Sequence, residues 1–394
     1  MRLLLLSFYY PPDLCAGSFR CSALVKALQE ALPELEIDIL TTQPNRYRES
    51  SASAPALEIT GNVRVFRLTL PEHDSGMHDQ GLAFIAYARQ GLRAIRSEGP
   101  YDAVFATSSR LMTASFATLV SRRLDLPLYL DIRDLFADTM TDVLPRWMAT
   151  AFAPVIRALE RWTFQSAGRI NVVSEGFADY VRQVAPSTEL RNFTNGIDDE
   201  FLSASPGRRP RNADAPPLIV YAGNVGEGQG LHRIIPEVAR RLGDRVRFRV
   251  IGHGGRIQQL RAQVGDVTAN VELLPPVPRA ELHSHYADAD ILFLHLNDYP
   301  AFRKVLPSKI FEYAATGRPI AAGVAGYSAQ FIREHVENAQ VFPPCDVDGM
   351  IEAIEILSDS SAPVDRSPFL ERYARRRITT AMAHDVAQFV HSNH

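Results

Sequence analysis

The sequence predicts an α/β protein built from two Rossmann-like, doubly wound parallel-sheet domains that face a cleft. Two patterns point there: short apolar strands alternate with amphipathic helices through both halves, and glycine-rich loops directly follow strands in the second half. The third observation is the stretch 203–217, SASPGRRPRNADAPP, which lacks apolar periodicity and reads as an interdomain linker. A chain of 394 residues is long enough for two domains, each with its own core.

Taken in order, the first series reads as strand 3–8, helix 18–32, strands 36–41 and 63–68, helix 80–97, strand 103–106, helix 112–124 and strand 128–131. A long helix or helix pair at 145–167 precedes strand 170–173, helix 175–184 and the loop Asn192 to Asp198. The second series runs from strand 218–222 through a glycine loop and a helix to Leu242. Strand 246–251, another helix, strand 271–274, helix 279–287 and strand 291–296 follow. Strand 320–322, helix 328–335, the short segment 340–342 and two closing helices complete it. Such alternation calls for parallel sheets with ligands at the carboxyl ends of the strands.

Composition narrows the function class. Hydrophobic residues at 46% and charged residues at 22% describe a globular protein, and a net charge of −3 gives no reason to expect a nucleic-acid partner. The basic runs Arg208-Arg209-Pro210-Arg211 and Arg375-Arg376-Arg377 read as solvated surface. Three cysteines, Cys15, Cys21 and Cys345, lack zinc spacing and are too few for a disulfide framework, so a reducing cytoplasm is expected. The apolar start reaches Pro11-Pro12 with no small-residue cleavage site and reads as a buried first strand, and no stretch approaches the ~20 apolar residues that span a bilayer.

The second half is organised around Leu306 to Gly323, which reads as loop, short helix, strand. Pro307 suits a first helical turn because its missing N–H costs nothing there, and Gly317 suits the left-handed position past the end. The helix start, with Ser308 and Lys309, is a candidate anion site. Glu312, one turn further in, could accept hydrogen bonds from a sugar diol, so diphosphate and ribose are natural ligands. A solvated Glu312 with Lys309 as its i+3 partner fits the same residues.

The glycine clusters Gly223 to Gly230 and Gly252 to Gly255 would let backbone amides approach a phosphate or base, although glycine also simply permits tight turns. In the first half, Gly17 lies in the loop after the first strand and Arg20 early in the next helix, where an arginine is out of place unless it faces an anion, the cleft or open surface. Asp131-Ile132-Arg133-Asp134 ends another strand, placing charges either at the functional edge or in structural salt bridges. Asp288-Ala289-Asp290 matches Asp-x-Asp but opens a strand, the wrong edge for a metal diphosphate. Trp147, Met148, Phe152, Val155, Ile156 and Trp162, flanked by Arg146, Arg157 and Arg161, form an apolar stripe that reads as helix core before membrane contact.

In order, Pro12 with Gly17, Asn195-Gly196-Ile197-Asp198, GNVGEGQGL, IGHGG, ADADILFL and PSKIFEYAATGRPI resemble the motifs of nucleotide-sugar glycosyltransferases of the GT-B fold. The chain is most similar to retaining family 4, in particular its bacterial members that build O-antigen or capsule and carry PSKIFEY. The resemblance covers nearly the whole chain and is stronger in the second half. It implies an acceptor domain at 1–202, the linker at 203–217, a donor domain at 218–370, and a C-terminal helix at 371–394 that returns to the first domain.

The same resemblance implies the site. Glu312 looks like the carboxylate that holds the ribose hydroxyls. Gly223, Asn224, Gln229 and Gly230 with Pro307, Ser308 and Lys309 would line the diphosphate; Gly252, Gly254 and Val277 would flank the base. Gly17 would lie against donor phosphate and sugar, with Arg20 and Asn195 as further donor contacts. Two departures stand out: Lys304 occupies the place of a second glutamate, and Asn224 and Gln229 replace the usual cations of the glycine loop. Arg303, Lys304 and Lys309 are then the cations available to the diphosphate, and Lys304, Lys309, Glu312 and Arg133 are the candidate catalytic residues. The implied reaction is transfer of a sugar from a nucleoside diphosphate, with UDP expected, to a lipid-linked or polysaccharide acceptor, without metal or other cofactor and with the membrane as a further contact. An epimerase of the same fold and a non-catalytic nucleotide-binding partner are the alternatives; a dinucleotide oxidoreductase lacks its ribose acid ~20 residues past a GxGxxG.

Overall fold

A computed structural model describes residues 1–13, 15–44, 54–70, 77–108, 111–135, 137–138, 146–203, 215–265, 269–359 and 363–392, with the side chains of 77–80, 146–151 and 203 excepted. Most of the expected linker, 204–214 with its arginine run, and the side chains of Trp147 and Met148 thus lie outside the described residues. The chain divides into two units, Met1–Asn195 with Arg376–His394, and Gly196–Arg375.

The first unit is built on strands β1 (Arg2–Ser7), β2 (Glu36–Thr42), β3 (Leu57–Thr60), β4 (Val63–Leu68), β5 (Ala103–Ser108), β6 (Leu128–Ile132), β7 (Arg169–Val172) and β8 (Glu189–Arg191). They form one eight-stranded sheet in the order β3-β4-β2-β1-β5-β6-β7-β8. Strand β1 is central, with Leu3 in register with Ile37 on one side and Ala103 on the other. Its run Leu3 to Leu6 is accordingly buried on both faces, as a strand covered by helices on either side must be.

One strand departs from the all-parallel expectation. β3 runs antiparallel to β4 at the sheet edge, joined through Gly61-Asn62 with Gly61 at φ 60°. All four β3 residues are exposed, so no buried apolar alternation marked the strand; the Gly-Asn pair before a clear strand was the available signal.

The second unit carries β9 (Leu218–Ala222), β10 (Arg247–Ile251), β11 (Val271–Leu274), β12 (Ile291–His295), β13 (Ile320–Gly323) and β14 (Ala339–Phe342). All pairings are parallel, in the order β11-β10-β9-β12-β13-β14. Strand order reverses between β1 and β5 in the first unit and between β9 and β12 in the second. Those are the points where a doubly wound sheet opens a crevice at its carboxyl edge.

The closing helix, Arg375–Ser392, sends Met382, Val386 and Phe389 into the first unit's core beside Leu3, Ile37 and Phe105. Its Asp385 accepts from the Tyr129 hydroxyl at 2.9 Å and pairs with Arg169 at 3.0 Å and Arg191 at 2.9 Å. Helix Arg146–Gln165 corrects the core reading of its apolar stripe: Phe152 is 51% exposed and Val155 67%. Among the described residues, no helix is long and apolar enough to cross a membrane.

Candidate functional site

At the carboxyl end of β9 the chain turns through Gly223, whose φ of 147° a side chain rarely adopts. A Cβ at Gly252, after β10, would lie 1.8 Å from the Gly223 carbonyl oxygen, so the two loops touch backbone to backbone. The glycine loop is braced from the segment after β12. The Asn297 N–H donates to Gly228 O at 2.8 Å, its amide to Glu227 O at 2.9 Å, and the Tyr299 hydroxyl to Glu227 Oε1 at 2.7 Å. Asn224 and Gln229, which stand where cations were expected, hydrogen-bond one another at 2.8 Å and stiffen the loop. Gly230 follows in the left-handed conformation, and Gly254 packs against Asn224 and Val225.

Lys309 opens helix Lys309–Ala315, with Pro307 and Ser308 just ahead and Gly317, at φ 69°, just past its end. The helix has seven residues, so its dipole is short and the ammonium carries most of the positive charge. That ammonium lies where a Cβ on Gly223 would meet it at 2.2 Å, and 5.9 Å from the centre of the Tyr221 ring. It makes no ion pair among the described residues. Burial pushes its pKa below the ordinary lysine value, Glu312 opposing and Arg279 adding to the shift. A half-buried cation held at the switch point by glycines can receive an anionic oxygen.

Glu312 follows on the same helix, 24% exposed, and sequence reading missed its partner. Arg279, at the start of helix Arg279–Asp288, brings Nη2 to 3.8 Å from Glu312 Oε1, close to Val277 in the chain. Arg279 also pairs with Asp198 and Glu200, and Asp198 in turn with Arg375. Burial disfavours its charge, but Asp198 and Glu312 more than offset that and raise its pKa. Arg303 is largely exposed and lies 3.5 Å from Asp298, and Lys304 ends the same short 3-10 turn, Pro300–Lys304. No local pattern flags Arg279, because its partners lie far away in sequence.

Arg20 corrects the expectation that it faces an anion or the surface. It is 2% exposed, bonded to Asp131 through Nε and Nη2 at 3.0 Å each, and donates to the carbonyls of Phe193 at 2.7 Å and Thr194 at 2.8 Å. Asp131 also accepts from Asn171 at 2.7 Å and Thr107 at 2.9 Å. Arg20 first among these charged contacts, then the Asn171 hydrogen bond, outweighs burial and holds the Asp131 carboxyl below its usual range. The pair therefore fixes the 193–194 loop to the sheet, beside Asn195, which is itself buried. Arg133, by contrast, lines a recess with Gly17 at the carboxyl edge of the same sheet.

Asp290 accepts the Leu218 N–H at 2.8 Å and Asp288 lies 3.7 Å from Arg249, so both serve the start of the second sheet. His295, also unforeseen, is 1% exposed at the end of β12. Its Nδ1 lies 2.6 Å from the Gln229 carbonyl and Nε2 accepts the Cys345 N–H at 2.9 Å, which assigns the proton to Nδ1. Burial pushes its pKa down to about 4.

Comparison with known proteins agrees with this architecture. Residues 19–196 match the family model of the glycosyl transferase 4-like domain, and residues 216–360 that of glycosyl transferases group 1. Among the curated proteins, none matches the sequence. Sucrose-phosphate synthase from Thermosynechococcus elongatus superposes with a TM-score of 0.77 at 15% identity, covering 100% of both chains. Anabaena Alr3699/HepE in complex with UDP-glucose gives 0.67 at 14% identity over 98% of this chain and 100% of that one. WaaG, a glycosyltransferase involved in lipopolysaccharide biosynthesis, gives 0.63 at 12% identity over 97% and 95%. The fold is GT-B.

Proposed function

Because the chain is a glycosyltransferase with a 4-like domain followed by a group 1 domain, we propose that it transfers a sugar from UDP to a hydroxyl of a lipid-linked or polysaccharide acceptor, with retention and without a metal. The observation that carries this is the Lys309 ammonium, half-buried against Gly223 and without an ion-pair partner among the described residues, one turn from Glu312. Lys309 meets the diphosphate and Glu312 accepts the ribose hydroxyls. The UDP complexes of HepE and the lipopolysaccharide role of WaaG support the choice of nucleotide and of a bacterial surface glycan.

As the anomeric C–O bond breaks, charge grows on the departing diphosphate, and a cation already in place lowers the barrier without reorganising. No side chain is assigned as nucleophile. The acceptor hydroxyl attacks from the face the leaving group vacates and passes its proton to the leaving phosphate oxygen. Glu312→Ala is expected to weaken UDP binding about tenfold or more in calorimetry, the loss of a charge-assisted hydrogen bond; unchanged affinity would remove the ribose assignment. Turnover of UDP-sugars with membrane lipid as acceptor tests the reaction, and chelation by EDTA is expected to leave it intact.

The acceptor class brings the membrane with it, at the inner face of the cytoplasmic membrane. Phe152 and Val155 stand exposed on helix Arg146–Gln165 beside exposed Arg157 and Arg161, a wedge and basic flank suited to anionic lipid. Co-sedimentation with phosphatidylglycerol vesicles is expected to fall several-fold in Phe152→Ser/Val155→Ser. Equal sedimentation of both proteins would exclude this surface.

A further inference from the structure

The recess at the carboxyl edge of the first sheet holds Arg133, a candidate catalytic residue to which the proposed reaction gives no contact. It opens between the ends of β1 and β5 and is lined by Ser7, Gly17, Thr107, Thr113 and Arg133 with two aromatic residues. Arg133 Nε is buried without a hydrogen-bond partner; of the two carboxylates that act on its charge, Asp131 is already bound to Arg20, Asn171 and Thr107, and Asp134 is the other. Its Nη1 reaches over Gly17, where a Cβ would lie 2.4 Å away, so the guanidinium sits on the first turn of helix Ala16–Ala31.

That turn has no acidic residue and no side-chain cap, which leaves its amides without side-chain acceptors. Thr113, 1% exposed, lines the recess with an Oγ1 that has no partner. Ser7 and Thr107 already donate their hydroxyl hydrogens, to Tyr9 O at 2.7 Å and Asp131 at 2.9 Å. The groups left are therefore donors around a cation that Asp131 and Asp134 favour through charge but whose Nε has no hydrogen-bond partner. Burial first, then the charge of Arg20, outweighs the favourable charges of Asp131 and Asp134 and disfavours the guanidinium, a cost that a bound anion would relieve.

We infer that this recess is a subsite for the anionic group, carboxylate or phosphate, of a sugar substrate, with Arg133 as its counter-ion and Thr113 as a second donor. The inference rests on the UDP-sugar reading and narrows its substrates to acidic sugars. A planar guanidinium suits a two-oxygen anion better than a lysine would.

The test uses the full chain in two arms. Calorimetry compares UDP-glucuronate with UDP-glucose, and thermal shift at saturating UDP compares glucuronate and glucose 6-phosphate with glucose. At least one charged compound is expected to bind about tenfold or more tightly than its neutral counterpart. A donor-arm preference assigns the anion to the sugar transferred, and an acceptor-arm preference to the sugar receiving it. Arg133→Met should abolish the preference, Arg133→Lys keep part of it, and Thr113→Val weaken it a few-fold. No preference in the wild type, or equal loss of charged and neutral compounds in Arg133→Met, overturns the inference. Binding of UDP alone to the wild type tests the donor reading separately: if it fails, that reading falls, whatever the charged sugars do.

Discussion

Lys309 meets two opposing demands. In the role proposed for it, its ammonium must be desolvated enough to act strongly on a diphosphate, yet desolvation favours the neutral amine, and its pKa is accordingly lowered. Affinity for UDP is therefore expected to weaken relative to that for uridine as pH rises through that lowered value, sooner than an ordinary lysine would dictate, the ionisation of the uracil N–H being common to both ligands. Lys309→Ala should remove this pH dependence and reduce UDP affinity about tenfold or more, with little change for uridine. Calorimetry with the two ligands across pH 7 to about 10 checks it, the upper limit chosen near the free lysine value. Equal loss for both ligands would make the lysine structural. The position of this residue at a helix start was legible because the signals are local: Pro307 and Gly317 bound the helix and Lys309 follows Ser308 directly. Arg20 was not, because Asp131 lies 111 positions away and nothing near Arg20 announces it.

Among the elements, the glycine loop shows how a flexible composition becomes a fixed surface. Its conformation is held by Asn297, Tyr299 and His295, which all follow or end β12. Sequence reading found the loop from its glycines but not the brace, since a buried histidine within an apolar strand carries no periodic signature. The same limit hid β3, whose side chains are all exposed, and the exposure of Phe152, whose helix has an apolar stripe but no stated neighbour. His295 also sets a pH dependence. With its pKa lowered to about 4 against an ordinary 6.5, the unfolded chain binds a proton that the folded unit refuses between those values. Stability is fully present above pH 6.5 and falls as pH drops toward 4, by about 3 kcal/mol for this group alone. Urea midpoints measured at pH 7 and pH 5 should differ more in the wild type than in His295→Gln; identical differences would assign the effect to other groups.

At the scale of the whole molecule, the chain builds its first unit from both ends. It leaves that unit after Asn195 and re-enters it at Arg376, and the helix it brings back fills a core that the first 195 residues leave open. Met382, Ala383, Val386 and Val390 are each fully buried, and burial of side chains this size contributes roughly 1.5–3 kcal/mol apiece for the larger ones. Asp385 adds the counter-charge for Arg169 and Arg191, which without it would stand partly desolvated and, among the described residues, paired only to Glu189. Among the described residues, the second unit's cluster that runs from Ile219 to Leu357 includes none of this helix. Truncation after Arg375 should therefore damage the two units unequally. Hydrogen exchange is expected to show protection lost across β1, β2, β5 and β6, while β9, β10 and β12 keep theirs and UDP still protects the glycine loop. Uniform loss in both units would mean that the helix supports the molecule as a whole. Unchanged protection of β1 would mean that the first unit closes its core without it.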